Sequence, residues 1–260
     1  MKLHRNLVFA AIDSLQLIFN EQKQADKVVV SIFVNPLQFN DKADLAAYPR
    51  TTQQDLAKLS DVNCDMVFMP DIATIYPKNM ADQTIVSVPN MDDKLCGQNR
   101  PGHFDGVATI VNKLFNLVDA DIALFGEKDY QQVLVIKTMV KDLAIDIKIA
   151  TVATYRDKNG LALSSRNQYL SAEELAKAPA IYQQLLQLKA QIEQGEQHFS
   201  QLQTSAIAQL NMQGFKVDYV DIRCADNLAI AKSGDKSLRI LIAARLGTAR
   251  LIDNIACDLA

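Results

Sequence analysis

Ile122-Ala123-Leu124-Phe125-Gly126-Glu127-Lys128-Asp129-Tyr130-Gln131-Gln132 passes from an apolar stretch with strand character into one with helical periodicity. The first four residues are short, apolar and preceded by Asp119-Ala120-Asp121, whereas Val133, Leu134, Ile136, Val140 and Leu143 recur at roughly helical spacing. Phe125 to Gln132 is therefore a strand-to-helix corner crowded with polar groups. In open α/β sheets ligands bind beyond the carboxyl ends of strands, where such a corner sits. Gly126 permits close backbone approach, the amides opening the helix can face an anion, and Lys128 adds a positive charge. The corner also reads as an ordinary helix start capped by Asp129, and taken alone it does not separate the two.

Working outward, Val28-Val29-Val30-Ser31-Ile32-Phe33-Val34 is nearly continuous and β-branched, which predicts a buried parallel strand. Pro36 stops it. Asn35 and Gln38 then offer neutral amides at the strand's carboxyl end, able to orient a hydroxyl or a carboxylate, although Asn35 also suits a plain turn before proline. A helix over Thr52 to Leu59 and a strand over Asp65 to Met69 establish the alternation, and Thr84 to Val88, alternating at period two, predicts an outlying strand. Residues 96–106 read as a loop. Its Arg100 and His103 stand just ahead of an amphipathic helix marked by Val107, Ile110, Val111, Leu114, Phe115 and Val118. An anion bound there would meet a cation and a helix N-terminus together, while His103 also suits a loop hydrogen-bonder. Asp146 to Ala153 predicts a further strand.

The polar turn Tyr155 to Gly160 divides the chain into a βαβ domain, residues 1–153, and a smaller α+β domain, residues 154–260. At the join lies Leu161 to Leu170. Its Ser164, Ser165 and Arg166 can bond and neutralise phosphate oxygens, or form a polar hinge with Arg166 paired to a surface carboxylate. Ser171 with Glu174 forms a capping box opening a helix interrupted at Pro179 and ended by Gly195. A helix from Phe199 to Met212 and three short strands, from Val217, Leu238 and Arg250, complete the chain.

The bulk numbers favour small-molecule chemistry. With 260 residues, 49% hydrophobic and 22% charged, the chain can bury a large core. A net charge of −3 without a basic block argues against nucleic acid and membrane surfaces, and no apolar run has the length of a membrane span. Four scattered cysteines and three histidines suggest neither a disulfide framework nor a zinc site, so a cytoplasmic location is expected.

Ser31 to Phe39, Tyr48-Pro49-Arg50-Thr51, Arg100-Pro101-Gly102-His103-Phe104, Phe125 to Gln132, Leu161 to Tyr169 and Thr248 to Asn254 together resemble, in order and spacing, the pantothenate synthetase family. The resemblance implies a Rossmann-like nucleotidyltransferase domain with a parallel sheet and a small α+β C-terminal domain, assembled as a homodimer. It implies condensation of pantoate with β-alanine at the expense of ATP, with Mg²⁺ carried by the ATP phosphates. Matching motif positions would put Gln38 and Gln132 on pantoate with Asn35 beside them. Lys128 would meet the phosphates, Gly126, Glu127 and Asp129 the nucleotide, and Ser164, Ser165 and Arg166 would clamp the phosphates, with Arg100 and His103 in support.

One departure stands out. The family's first strand leads into a Pro-Thr-Met-Gly loop and a His-x-Gly-His motif. Here Arg5 to Val8 occupy the loop's place, and Ala11 and Ser14 stand where the two histidines belong. The resemblance thus predicts a chain lacking most of the first strand and half of its phosphate grip. Either its recorded start is displaced, or the protein is a genuine but impaired or inactive member.

Overall fold

The computed structural model describes the backbone of residues 7–11 and residues 26–39, 45, 46, 48 and 50–259 in full. Two compact units emerge from its contacts: residues 1–127 with 131–153, and residues 128–130 with 154–260.

The first unit is built on a parallel sheet of β1 (Leu7–Ala11), β2 (Lys27–Ser31), β3 (Met66–Phe68), β4 (Ile122–Gly126) and β5 (Lys148–Val152), in the order β3-β2-β1-β4-β5. Parallel neighbours need crossover connections, usually helical. The described helices are α1 (Thr52–Asp61), α2 (Ile72–Ile75), α3 (Leu95–Asn99), α4 (His103–Val118) and α5 (Tyr130–Asp142). This is the α/β, Rossmann-like architecture expected. β1 is a correction: where the family resemblance left the first strand largely missing, Leu7–Ala11 lies at the centre of the sheet, with Val8 opposite Val28 on one side and Ile122 on the other.

The apolar runs explain the core. Val28, Val30 and Leu124 form a buried cluster with Leu59 of α1. The predicted stripe of α4 buries Val107, Ile110, Val111, Leu114 and Phe115. Asp65 anchors the start of β2, its carboxylate accepting from Lys27 Nζ at 2.6 Å and from the Val28 amide at 2.9 Å.

Several expectations are revised. β2 ends at Ser31 rather than 34, and after a last bond from the Ile32 amide to Phe68 O the chain enters a 3₁₀ turn, Pro36–Gln38. Residues 84–88 form no strand: Val86 N donates to the Thr109 hydroxyl on α4, so a side chain takes the place of a strand partner. The stretch 96–106 is not loop throughout, because α3 fills its beginning and α4 already starts at His103. Between β4 and α5 a 3₁₀ turn, Glu127–Asp129, closes the corner, so Asp129 ends that turn instead of standing alone as a cap.

In the second unit α6 (Ala172–Lys177), α7 (Ala180–Glu193) and α8 (Phe199–Met212) precede an antiparallel sheet of β6 (Lys216–Cys224), β7 (Ser237–Leu246) and β8 (Ala249–Asp258), in the order β6-β7-β8. The strands are long, nine or ten residues each, where short ones were expected. The capping box forms, and Pro179 separates α6 from α7 as its N-cap. Leu185, Leu188, Ile192, Leu202 and Leu210 pack on Ile222, Ile240 and Ile242. Arg156 closes this core with two bonds to Asp253, at 2.5 and 2.9 Å, while its guanidinium lies 3.6 Å from the Tyr182 ring centre. Among the described residues no helix is long and apolar enough to cross a membrane.

The bonds from Lys27 and from the Val28 amide hold the Asp65 carboxyl below its ordinary pKa. A depressed folded value gives stabilisation that is full above the unfolded pKa and disappears as pH falls through the folded one. Asp65→Asn is therefore expected to cost roughly 0.5–1 kcal/mol at neutral pH, since the pair is half exposed. Denaturant titrations of the two proteins should converge in acid, below the usual carboxylate range.

Candidate active site

The order of the parallel sheet reverses between β1 and β4, which makes the carboxyl ends of those strands, at Ala11 and Gly126, the switch point where α/β sheets bind ligands. Ser14 lies outside the described residues.

At the carboxyl end of β2, Asn35 is 2% exposed and fully engaged. Its Oδ1 accepts from Tyr76 Oη at 2.7 Å and from the Leu37 amide at 3.3 Å, and its Nδ2 donates to Gly106 O at 3.0 Å and Gln38 Oε1 at 3.4 Å. Burial pushes the Tyr76 phenol's pKa up, so it remains a donor. Gly106 is dictated by this approach: a Cβ there would stand 2.5 Å from Leu37 O, and backbone cannot yield.

The Gln38 carbonyl gathers two more groups, accepting from His103 Nδ1 at 2.8 Å and Arg100 Nη2 at 3.3 Å. A carbonyl only accepts, so Nδ1 carries the proton. Nε2 then accepts from Arg100 Nη1 at 3.1 Å. Arg100 and His103 thus brace the turn that carries Gln38. Among the described residues no hydrogen bond occupies Gln38 Nε2 or the Gln132 side-chain amide.

At the central corner, Gly126 ends β4 and Glu127 accepts from Thr151 Oγ1 of β5 at 3.1 Å. Gln132 is half-buried in the first turn of α5. Its neighbour Gln131 escaped the sequence reading. It is buried, takes the Cys96 amide on Oε1 at 3.1 Å, and donates to Met91 O at 2.9 Å and Lys94 O at 3.0 Å. That amide fastens the segment in which Leu95 holds a left-handed φ of 48°, rare for a leucine. One of two adjacent glutamines gives no sequence signal that it is the buried one.

In the second unit, Lys128 and Asp129 form a loose ion pair at 3.9 Å, and Lys128's carbonyl accepts from Asn254 Nδ2 at 2.8 Å. Ser164 caps the 3₁₀ turn Ser165–Tyr169, its hydroxyl accepting from the Arg166 amide at 3.2 Å. Ser165 is exposed and Arg166 half-buried, and the turn packs against β8, the strand that supplies Asn254. Tyr130 and Arg239, which carried no sequence assignment, complete the seat of the Lys128 segment. The first unit thus groups Asn35, Gln38, Arg100 and His103, and the second holds Lys128 and the Ser-Ser-Arg turn on one strand. Among the described residues no cluster of three or more His, Cys, Asp or Glu could hold a metal ion.

The model of the pantoate-beta-alanine ligase family matches residues 13–256. The pantothenate synthetase of Pseudomonas savastanoi is 50% identical over 239 residues, covering 92% of this chain and 84% of that protein; that of Shewanella oneidensis is 51% identical over 244 residues, 94% and 86%. The crystal structure of pantothenate synthetase from Thermus thermophilus superposes with a TM-score of 0.90 at 37% identity, over 96% of this chain and 92% of that one. The pantoate-beta-alanine ligase of Francisella tularensis, complexed with beta-gamma ATP and beta-alanine, superposes with a TM-score of 0.80 at 32% identity, over 98% and 91%. On this match over most of its length, the chain belongs to the pantoate–β-alanine ligase family, the pantothenate synthetases.

Proposed function

We propose that this chain joins pantoate to β-alanine with MgATP as co-substrate, working as a cytoplasmic homodimer. The pantoate carboxylate attacks the α-phosphorus of ATP and pyrophosphate leaves. The β-alanine amine then attacks the carbonyl of the pantoyl adenylate, and AMP leaves with pantothenate. Such chemistry needs in-line positioning and neutralisation of charge on phosphate oxygens more than covalent help.

The observation that carries this reading is two glutamines with donors to spare, Gln38 through its Nε2 and Gln132 through its side-chain amide, in a family of pantoate ligases. Two neutral amides suit a hydroxy acid, giving donors to its carboxylate and acceptors to its hydroxyls. Asn35, saturated by its own bonds, serves as a positioning residue for Gln38, with Arg100 and His103 bracing the same turn. Lys128 neutralises phosphate charge, assisted by Ser164, Ser165 and the two-pronged Arg166, while Gly126, Glu127 and Asp129 line the nucleotide.

A second reading rests on Ala11 at the end of β1 and Ser14 beyond it, where the family carries histidines. Removing one preorganised charge-stabilising donor typically costs about 10²–10³ in rate. The chain as written is then an impaired synthetase with an intact pantoate site.

Exchange of labelled pyrophosphate into ATP should require pantoate and run far below a full family member's rate, and Ala11→His, Asp13→Gly and Ser14→His together should raise it. Exchange that ignores pantoate would refute the assignment, and a normal rate in the unaltered chain would refute the impairment. In calorimetric titrations, Gln38→Ala and Gln132→Ala should each weaken pantoate roughly fivefold to tenfold, the worth of one hydrogen bond. Tyr76→Phe should cost about 1 kcal/mol of stability and weaken pantoate while leaving ATP affinity unchanged.

A further inference from the structure

The sheet of the second unit presents its α7 and α8 face through Leu238, Ile240 and Ile242 of β7 and Leu251, Ile255 and Cys257 of β8. Arg239 and Asn254 alternate onto the other face. Arg239 pairs with Ala256 and Leu241 with Asn254, so the two side chains are diagonal neighbours. Both are buried, 6% and 4% exposed, a costly place for a guanidinium and an amide unless they have partners.

Their partners form a relay. Arg239 Nε donates to Asn254 Oδ1 at 2.6 Å, and Asn254 Nδ2 donates to the Lys128 carbonyl at 2.8 Å. The amide's orientation is unambiguous, because Nε can only donate and a carbonyl can only accept. The Arg239 guanidinium also lies 4.0 Å from the Tyr130 ring centre, and Tyr130 Oη donates to Ala225 O at 3.0 Å. A three-residue segment at the switch-point corner is thereby seated on strands more than a hundred positions later. Asn254 bonds the backbone of the very residue whose ammonium, with its long stem, must be aimed.

We propose that Asn254, oriented by Arg239, is a positioning residue for Lys128, setting where its ammonium meets the ATP phosphates. The proposal rests on the reading of Lys128 as a phosphate ligand. Asn254→Asp isolates it: the carboxylate still accepts from Arg239, preserving the buried pair, but cannot donate to the Lys128 carbonyl.

MgATP affinity is measured by titration calorimetry for the unaltered chain, Lys128→Ala, Asn254→Asp and the double variant, with melting temperatures alongside. Lys128→Ala should weaken ATP, Asn254→Asp should weaken it by about fivefold to tenfold, and the double variant should be no weaker than Lys128→Ala alone, because Asn254 acts through Lys128. Pantoate affinity should stay unchanged in all three variants. Unchanged ATP affinity in Asn254→Asp, or an effect that persists in full without the lysine, overturns the proposal. If Lys128→Ala itself binds ATP normally, the phosphate reading of Lys128 falls, and the relay with it.

Discussion

The hydrogen-bond ladders on both sides of β1 fix what the first unit can do. β1 lies between β2 and β4, parallel to both, and the chain winds outward from it in two directions. Reversal of strand order leaves the carboxyl ends of β1 and β4 side by side. The ends of β1 and β4, at Ala11 and Gly126, are brought to one side of the sheet by backbone pairing alone. What those residues are then decides the chemistry, and here β4 delivers a rich corner while β1 delivers an alanine.

Beside that crevice the protein spends its polar groups on holding one loop still. Asn35 has every amide position filled, and the Gln38 carbonyl takes bonds from Arg100 and His103. The result is a braced turn with the glutamine's side-chain nitrogen left over. A recognition group needs a polar atom unspent and its backbone overdetermined, and Gln38 has both, its Oε1 taken by Asn35 and its Nε2 without a bond among the described residues. The buried Gln131 next to Gln132 shows the complementary use of the same side chain, saturated and purely structural.

Sequence patterns announced whatever depended on local periodicity. The β-branched run at Val28 to Val30, the stripe of α4 and the Ser171 and Glu174 capping box all form as read. Patterns failed where a side chain replaced a backbone partner. Residues 84–88 alternate like a strand, yet their amide is met by Thr109. The α3 turn hid because Gly97 and a left-handed Leu95 are poor helix signals, tolerated where Gln131 anchors the segment. The corner from Phe125 to Gln132 was legible as a ligand-binding candidate, but Arg239 was not, since nothing in a largely aliphatic strand says which partner an arginine will find across the fold.

Lys128, Asp129 and Tyr130 lie in the middle of the first unit's sequence but keep company with the second. The modular boundary of this protein therefore does not coincide with any single cut in its chain. Severed after Ala153, the N-terminal piece would retain β4 and α5 but lose the carbonyl's donor, the arginine over the tyrosine ring and the acceptor of the tyrosine hydroxyl. Exchange of C-terminal halves between relatives would likewise replace part of the seat beneath the corner, so the two halves of the gene are constrained to change together.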